Sequence, residues 1–195
     1  MCKEPIGKQD QFAAAVGGLN HIEFNQNEEV KITPIKISEE DLSKFQSEIL
    51  LFYTGRTRSA SNILKQQSKN LLHKDRFDIM IQMVELTKKF KSSLEKYNLE
   101  NLGQILDQNW EFKKLLAENI SNNEIDNMID KSKTLGAIGA KILGAGNGGF
   151  LMVLAPKNKH LNIIENLGLR NMPIKFDFHG SSVIDTDFNE NKNYA

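Results

Sequence analysis

The chain has 195 residues, of which 39% are hydrophobic and 26% charged; this is enough apolar material for a folded core and too much for a disordered chain. Its 25 Lys and Arg balance its 25 Asp and Glu, which argues against a nucleic-acid binder acting by bulk charge. The longest fully apolar run, residues 150–155, is too short to span a bilayer, and the opening residues carry no apolar secretory core, so no membrane anchor or export is expected and the location expected is cytoplasmic.

Cys2 is the only cysteine, which leaves no internal disulfide and no cysteine zinc site. The length allows one domain, or one and a part. Residues 7–18 read as a small-residue helix, with Ala13, Ala14 and Ala15 inside it and Gly17-Gly18 stopping it. Residues 19–24 and 30–37 are strand-like, the second with period-two alternation broken at Pro34, and the polar residues 25–29 between them suit a hairpin. Residues 49–53, Ile-Leu-Leu-Phe-Tyr, predict a buried strand.

A helical block follows. Helices are predicted over residues 59–72, 76–97, 99–119 and 122–135, the second with Phe77, Met80, Ile81, Val84 and Leu86 mostly on one stripe. Trp110 and the set Met80, Met83 and Met128 stand at helical spacing and are expected in the core. The pattern then returns to strands at residues 140–143 and 150–155, a short helix at 157–167 stopped by Gly168, and strands at 174–178 and 182–184. Residues 189–195 are expected to fray. Strands, helices and strands again indicate an α+β fold: an antiparallel sheet covered by a helical layer on one face.

Residues 56–96 carry ten Lys/Arg against four Asp/Glu, and residues 98–130 carry two against seven. Either these are two solvated faces that attract each other, or the basic stretch helps hold an anionic substrate. The four histidines, His21, His73, His160 and His179, show no metal-ligand spacing.

The most informative segment is Gly144-Ala145-Gly146-Asn147-Gly148-Gly149. Four glycines in six residues allow positive φ and let consecutive N–H groups face an anion, and Asn147 is the non-glycine residue best suited to such a loop. A P-loop would need Gly-Lys-Ser/Thr, where Phe150 stands. A dinucleotide fingerprint would need a helix after the glycines, where a strand is predicted. From the residues alone, a phosphate-binding loop and a plain glycine-rich hairpin turn both stand.

The segment 139–150, Gly-Ala-Lys-Ile-Leu-Gly-Ala-Gly-Asn-Gly-Gly-Phe, resembles the third motif of the GHMP kinases, departing from it at Asn147 where relatives usually carry glycine. Residues 3–18, with Asp10-Gln11 opening a small-residue helix, resemble the segment bearing that family's catalytic aspartate. Residues 51–60 and 110–114 add two further matches. In combination they look most like the branch acting on D-glycero-D-manno-heptose 7-phosphate, with fucokinase-type enzymes close by.

The resemblance implies an ATP-dependent sugar-phosphate kinase that transfers phosphate to an anomeric hydroxyl, with ATP, Mg²⁺ and a sugar phosphate as cofactors and partner. It implies Asp10 as proton acceptor, although by sequence Asp10 could also be a helix cap. Gln11, Lys8, Arg56 and Arg58 are the substrate-side candidates, with Lys8 and Arg58 equally readable as surface residues. Residues 144–149 would support the triphosphate, and Lys141 could face either side of its strand. No metal site is assigned. The family's Gly-Ser-Ser-rich ATP loop has no counterpart in the sequence, so the expectation is a form shortened at its N-terminus. Residues 1–47 would end the N-terminal domain, 48–188 would form the C-terminal domain and 189–195 a tail. A complementary N-terminal chain or a homo-oligomer is then expected. The alternative is a non-catalytic kinase remnant that binds a sugar phosphate or a partner.

Overall fold

The computed structural model of the chain describes residues 7–56 and 60–183. Helix α1 (Gln9–Val16) leads into strands β1 (Asn20–Phe24) and β2 (Val30–Pro34), which pair antiparallel with Ile22 opposite Ile32. The connection is a tight polar turn in which the Asn25 N–H donates to the Glu29 carbonyl at 3.0 Å. No residue of α1 is buried, and neither strand contains a fully buried side chain.

Helix α2 (Glu39–Ser47) is a helix that the strand-centred reading of this region passed over. Its signal was present: Ser38 stands three residues before Asp41, and the Ser38 hydroxyl accepts from the Asp41 N–H at 3.1 Å. Strand β3 (Ile49–Tyr53) follows, then four helices: α3 (Ala60–Asn70), α4 (Lys74–Glu95), α5 (Leu99–Lys114) and α6 (Asn123–Thr134). Strands β4 (Gly139–Ile142) and β5 (Phe150–Leu154) flank the glycine segment. A single 3₁₀ turn enters α7 (His160–Leu167), and β6 (Arg170–Met172) completes the sheet. Gly168, at φ 79°, ends α7.

The four strands lie in the order β4-β5-β3-β6, all antiparallel. Their period of two sorts the side chains. Leu50, Phe52, Ala140, Ile142, Leu151 and Val153 share one face and pack against Trp110, Ile125, Ile129 and Ile163 from the helices. Trp110 and the three methionines Met80, Met83 and Met128 belong to this core or pack against it. The α+β class and the antiparallel sheet are therefore as read from the sequence. The helical layer is not confined to one face: Ile49, Met152 and Leu154 point the other way, into a second cluster with Phe45, Leu94, Leu102 and Leu106. The open edge of β4 is closed by α5, where the Ala140 N–H donates to Asp107 Oδ1 at 3.0 Å.

Two expectations are corrected. The stripe on α4 is not a core stripe: Phe77, Ile81 and Val84 are about half exposed, while Leu86 and Leu94 face inward. Leu86 stands nine residues after Phe77, two and a half turns, which puts it on the opposite face of α4, so the buried face is not the one that carries Phe77, Ile81 and Val84. No strand forms at residues 174–178. That segment is an extended strap. The Phe176 ring stacks on Phe45 with centroids 6.1 Å apart, and its N–H donates to Gln46 Oε1 at 2.9 Å. The Asp177 carbonyl accepts from the Gly18 N–H at 2.6 Å, and the Ser181 N–H donates to the Ala15 carbonyl at 3.2 Å. The strand β6 takes the place at the sheet edge beside β3. Of the strand expected at 182–184, Ser182 and Val183 are not in a strand and Ile184 lies outside the described residues.

Candidate active site

The glycine segment joins β4 to β5 as a loop with its back to the helical layer. Gly146 and Gly148 stand at φ 103° and 133°, where a side chain would be strained. A Cβ at Gly146 would come within 2.6 Å of the Ile120 carbonyl, and one at Gly148 within 2.9 Å of Arg56 Cβ. Asn147, at φ 58°, is the loop's non-glycine residue in the left-handed region. Its N–H donates to the Ile120 carbonyl at 2.6 Å, and its side-chain oxygen accepts from Asn122 Nδ2 at 2.8 Å. Asn122 is also the N-cap of α6, so one side chain holds both the helix start and the loop. The Gly149 N–H is spent on the Arg56 carbonyl, and the Gly149 carbonyl accepts from the Thr54 N–H and hydroxyl, both at 3.0 Å. The N–H groups of Gly144, Ala145 and Gly148 have no hydrogen-bond partner among the described residues. Unpaired backbone donors in a glycine loop fit an anionic oxygen, as a phosphate group would supply. Lys113 of α5, within the Trp110–Lys114 segment, reaches the Gly144 carbonyl with its ammonium.

Beside this loop lies a cleft of about 500 Å³ between the N-terminal unit and the sheet. Gln9 and Ala13 of α1 and His21 of β1 line one side; Asn109, Lys141 and Leu143 line the other. Lys141 therefore faces the cleft and not the core. Burial, with the neighbouring Lys113 charge adding to it, pushes the Lys141 ammonium down to about 8. Its Nζ donates to Asn109 Oδ1 at 2.5 Å. The alternation that buries Ala140 and Ile142 could have placed Lys141 on the opposite side, but nothing local in the sequence signalled Asn109 or Lys113, which arrive from α5.

The other candidates are dispersed. Asp10 is the second residue of α1 and is exposed; the N-cap position belongs to Lys8, so the capping reading of Asp10 is excluded. The Asp10 carboxylate makes no hydrogen bond among the described residues, whereas the Gln11 amide turns back toward the carbonyls of Gly7 and Lys8, to which its nitrogen can donate once the amide is flipped. Lys8 borders a shallow groove with Phe24 and Glu28. Arg56 lies behind the loop and is ion-paired with Glu124. That pair joins the basic stretch to the acidic one. Arg58 lies outside the described residues. No group of three or more His, Cys, Asp or Glu that could hold a metal ion forms among the described residues.

Residues 90–173 match the family model described as GHMP kinases C terminal. Among curated proteins, the chain is 32% identical over 161 residues to D-glycero-alpha-D-manno-heptose 7-phosphate kinase of Campylobacter jejuni, covering 83% of this chain and 48% of that relative. It is 29% identical over 203 residues to galactokinase of Pyrococcus furiosus, covering 89% of this chain and 54% of the relative. The crystal structure of a D-glycero-D-manno-heptose 1-phosphate kinase from Bacteriodes thetaiotaomicron superimposes with a TM-score of 0.57 at 25% identity, over 92% of this chain and 50% of that one. L. major mevalonate kinase in complex with R-mevalonate superimposes with a TM-score of 0.69 at 20% identity, over 89% of this chain and 53% of that one, a likeness of fold alone. The chain spans about half the length of the curated relatives it matches.

Proposed function

Because residues 90–173 form a GHMP kinase C-terminal domain, we propose that this chain supplies the proton acceptor and the glycine-rich wall of an ATP-dependent sugar-phosphate kinase. The substrate class is a heptose 7-phosphate, as in the Campylobacter relative's name. The observation that carries the reading is the placement of α1: Gln9 and Ala13 line the same cleft as Leu143, the residue that enters the glycine loop, and Asp10 stands beside them on the helix, exposed and outside the lining itself.

In this reading Asp10 accepts the proton of the sugar hydroxyl as that oxygen attacks the terminal phosphorus of ATP. Being free of any capping bond, its carboxylate is available for that work. The N–H groups of Gly144, Ala145 and Gly148 hold phosphate oxygens while the charge shifts toward the leaving group. ATP, when bound, supplies the transferred phosphoryl group. The Gly-Ser-Ser-rich loop that such a kinase uses on the other side of the triphosphate has to come from outside these residues, in the same polypeptide or another one. The chain by itself is then a poor kinase. Residues 1–47 belong with that outside part as the end of an N-terminal domain, and residues 48–188 form the C-terminal domain.

The test is a chimera that joins this chain to the half of the Campylobacter relative it does not match, assayed with ATP, Mg²⁺ and D-glycero-D-manno-heptose 7-phosphate. Phosphoryl transfer is expected, and Asp10→Asn should lower kcat by about 10²–10⁴ with an unchanged melting temperature. A folded chimera that phosphorylates no sugar phosphate, or an Asp10→Asn variant with near-wild-type kcat, sinks the reading.

A further inference from the structure

We propose that Lys141 is the residue of the cleft that contacts a phosphate group, carried either by the sugar phosphate or by the nucleotide against the glycine loop; the proposal rests on the kinase reading above and adds a residue to it.

The argument begins with the strand. β4 buries Ala140 and Ile142 against the helical layer, so Lys141 emerges on the opposite side, opposite Met152 of β5 and into the cleft. It stands three residues before Gly144. The ammonium is fixed by Asn109 at 2.5 Å, which orients it without neutralising it. Some exposed or half-exposed lysines have acids at hand, Lys44 with Glu40, Lys88 with Glu85, Lys114 with Glu111 and Lys133 with Asp107, and Lys141 differs from them in being shifted by burial. Lys141 has no carboxylate within ion-pair distance among the described residues, although it is the lysine whose charge is most strongly disfavoured by its surroundings.

The charged and titratable groups around the cleft do not offset it. Lys113 from α5 raises the positive potential, and Lys91 from α4 and His21 from β1 line the same space. A half-buried cation with cationic neighbours is costly unless an anion completes it. Leu143, which enters the glycine loop, lines the same cleft, and Lys113 grips the loop at Gly144. An ammonium held in the cleft by a neutral amide, with no acid beside it, suits a phosphate group, for which lysine acts as a point charge. The bland role for Lys141, a bolt between β4 and α5 through Asn109, accounts for the hydrogen bond but not for the missing acid.

The experiment uses the full chain with mannose 6-phosphate, mannose and ADP as probes. The Lys141 ε-methylene is followed by NMR through a pH titration, and affinities are measured by calorimetry. Lys141 should titrate near 8 in the free chain, and its midpoint should rise when the phosphate-bearing probe is bound. Lys141→Met should weaken binding of that probe about tenfold or more and leave mannose unaffected. Lys141→Arg, which keeps the charge, should stay within about threefold of wild type. A response to mannose 6-phosphate alone places the sugar phosphate at Lys141; a response to ADP alone places the nucleotide there. A midpoint that neither probe moves at concentrations up to about 10 mM, or a Met variant with wild-type affinity for both, overturns the proposal. Its failure is separable from that of the kinase reading: phosphate binding at Lys141 in a chimera without turnover sinks only the latter, and turnover with kcat/KM untouched by Lys141→Met sinks only the former.

Discussion

The sheet β4-β5-β3-β6 and the helix–hairpin unit of α1, β1 and β2 are built on opposite terms. In the sheet, Phe52, Ala140, Ile142, Leu151 and Val153 are wholly buried between strands and helices. In the helix–hairpin unit nothing is buried outright, Val16 and Phe24 are 39% and 46% exposed, and the strap bonds α1 at Ala14 and Ala15. The contrast teaches that the two halves of the proposed site have different mechanical support. The glycine loop is bolted at both ends and from behind, by Thr54, Ile120, Asn122 and Arg56, whereas Asp10 rides on a helix whose flanks are open.

The widest test of this contrast is Phe52→Ala. Removing a fully buried aromatic side chain should destabilise the chain by about 3–5 kcal/mol in a chemical denaturation experiment, because the surrounding sheet and helices cannot collapse into the space. A loss below about 1 kcal/mol would mean that the sheet side is as loosely packed as the hairpin side.

The sequence carried the sheet side well because its signals are local. The alternating run at residues 49–53, the glycines between two apolar strands and the Asn122 cap each lie within a few residues. What it did not carry came from distance. The exposure of Phe77, Ile81 and Val84 depends on which face α4 turns to α5. The strap at residues 173–181 looks like a strand by composition but finds its partners in α1 and α2, not in the sheet. At the candidate site, the glycine segment was legible as a loop between two strands, while the direction of Lys141 stayed open in the sequence and is settled by the burial of Ala140 and Ile142. Asn109, Lys113 and the Glu124 partner of Arg56 were not legible, since helix packing brings them there.

At the seam between the two regions, Lys141→Met asks how much the cleft costs the fold. The ordinary lysine value is 10.5 and the folded value about 8. Below pH 8 the group is protonated in both states. Between about 8 and 10.5 the folded chain has shed a proton that the unfolded chain keeps, so wild-type stability should rise with pH through that window. The Met variant should lack that rise. At pH 7 it should be the more stable protein by on the order of 1 kcal/mol, ~2–4 °C in Tm, and the gap should close by about pH 10. Parallel thermal melts at the two pH values decide it; a variant less stable than wild type at pH 7 would make Lys141 a structural bolt.

The smallest effect belongs to the hairpin. Phe24 meets Phe12 edge-on with centroids 5.7 Å apart but is otherwise open to solvent. Phe24→Ala should cost less than about 1 kcal/mol by the same denaturation experiment. A cost approaching that of Phe52→Ala would erase the distinction between the two regions.

The strap gives the contrast an order in time. The Ser181 hydroxyl donates to the Ala14 carbonyl across 167 positions of sequence, and the neighbouring backbone bonds at Ala15 and Gly18 close the same gap. A ribosome makes α1 long before it makes the strap. The sheet, whose β3, β5 and β6 are all made before residue 173, can assemble first. The helix that bears Asp10 is thus made before the strap that latches it, so a nascent chain can hold the glycine loop in place before α1 is tied down.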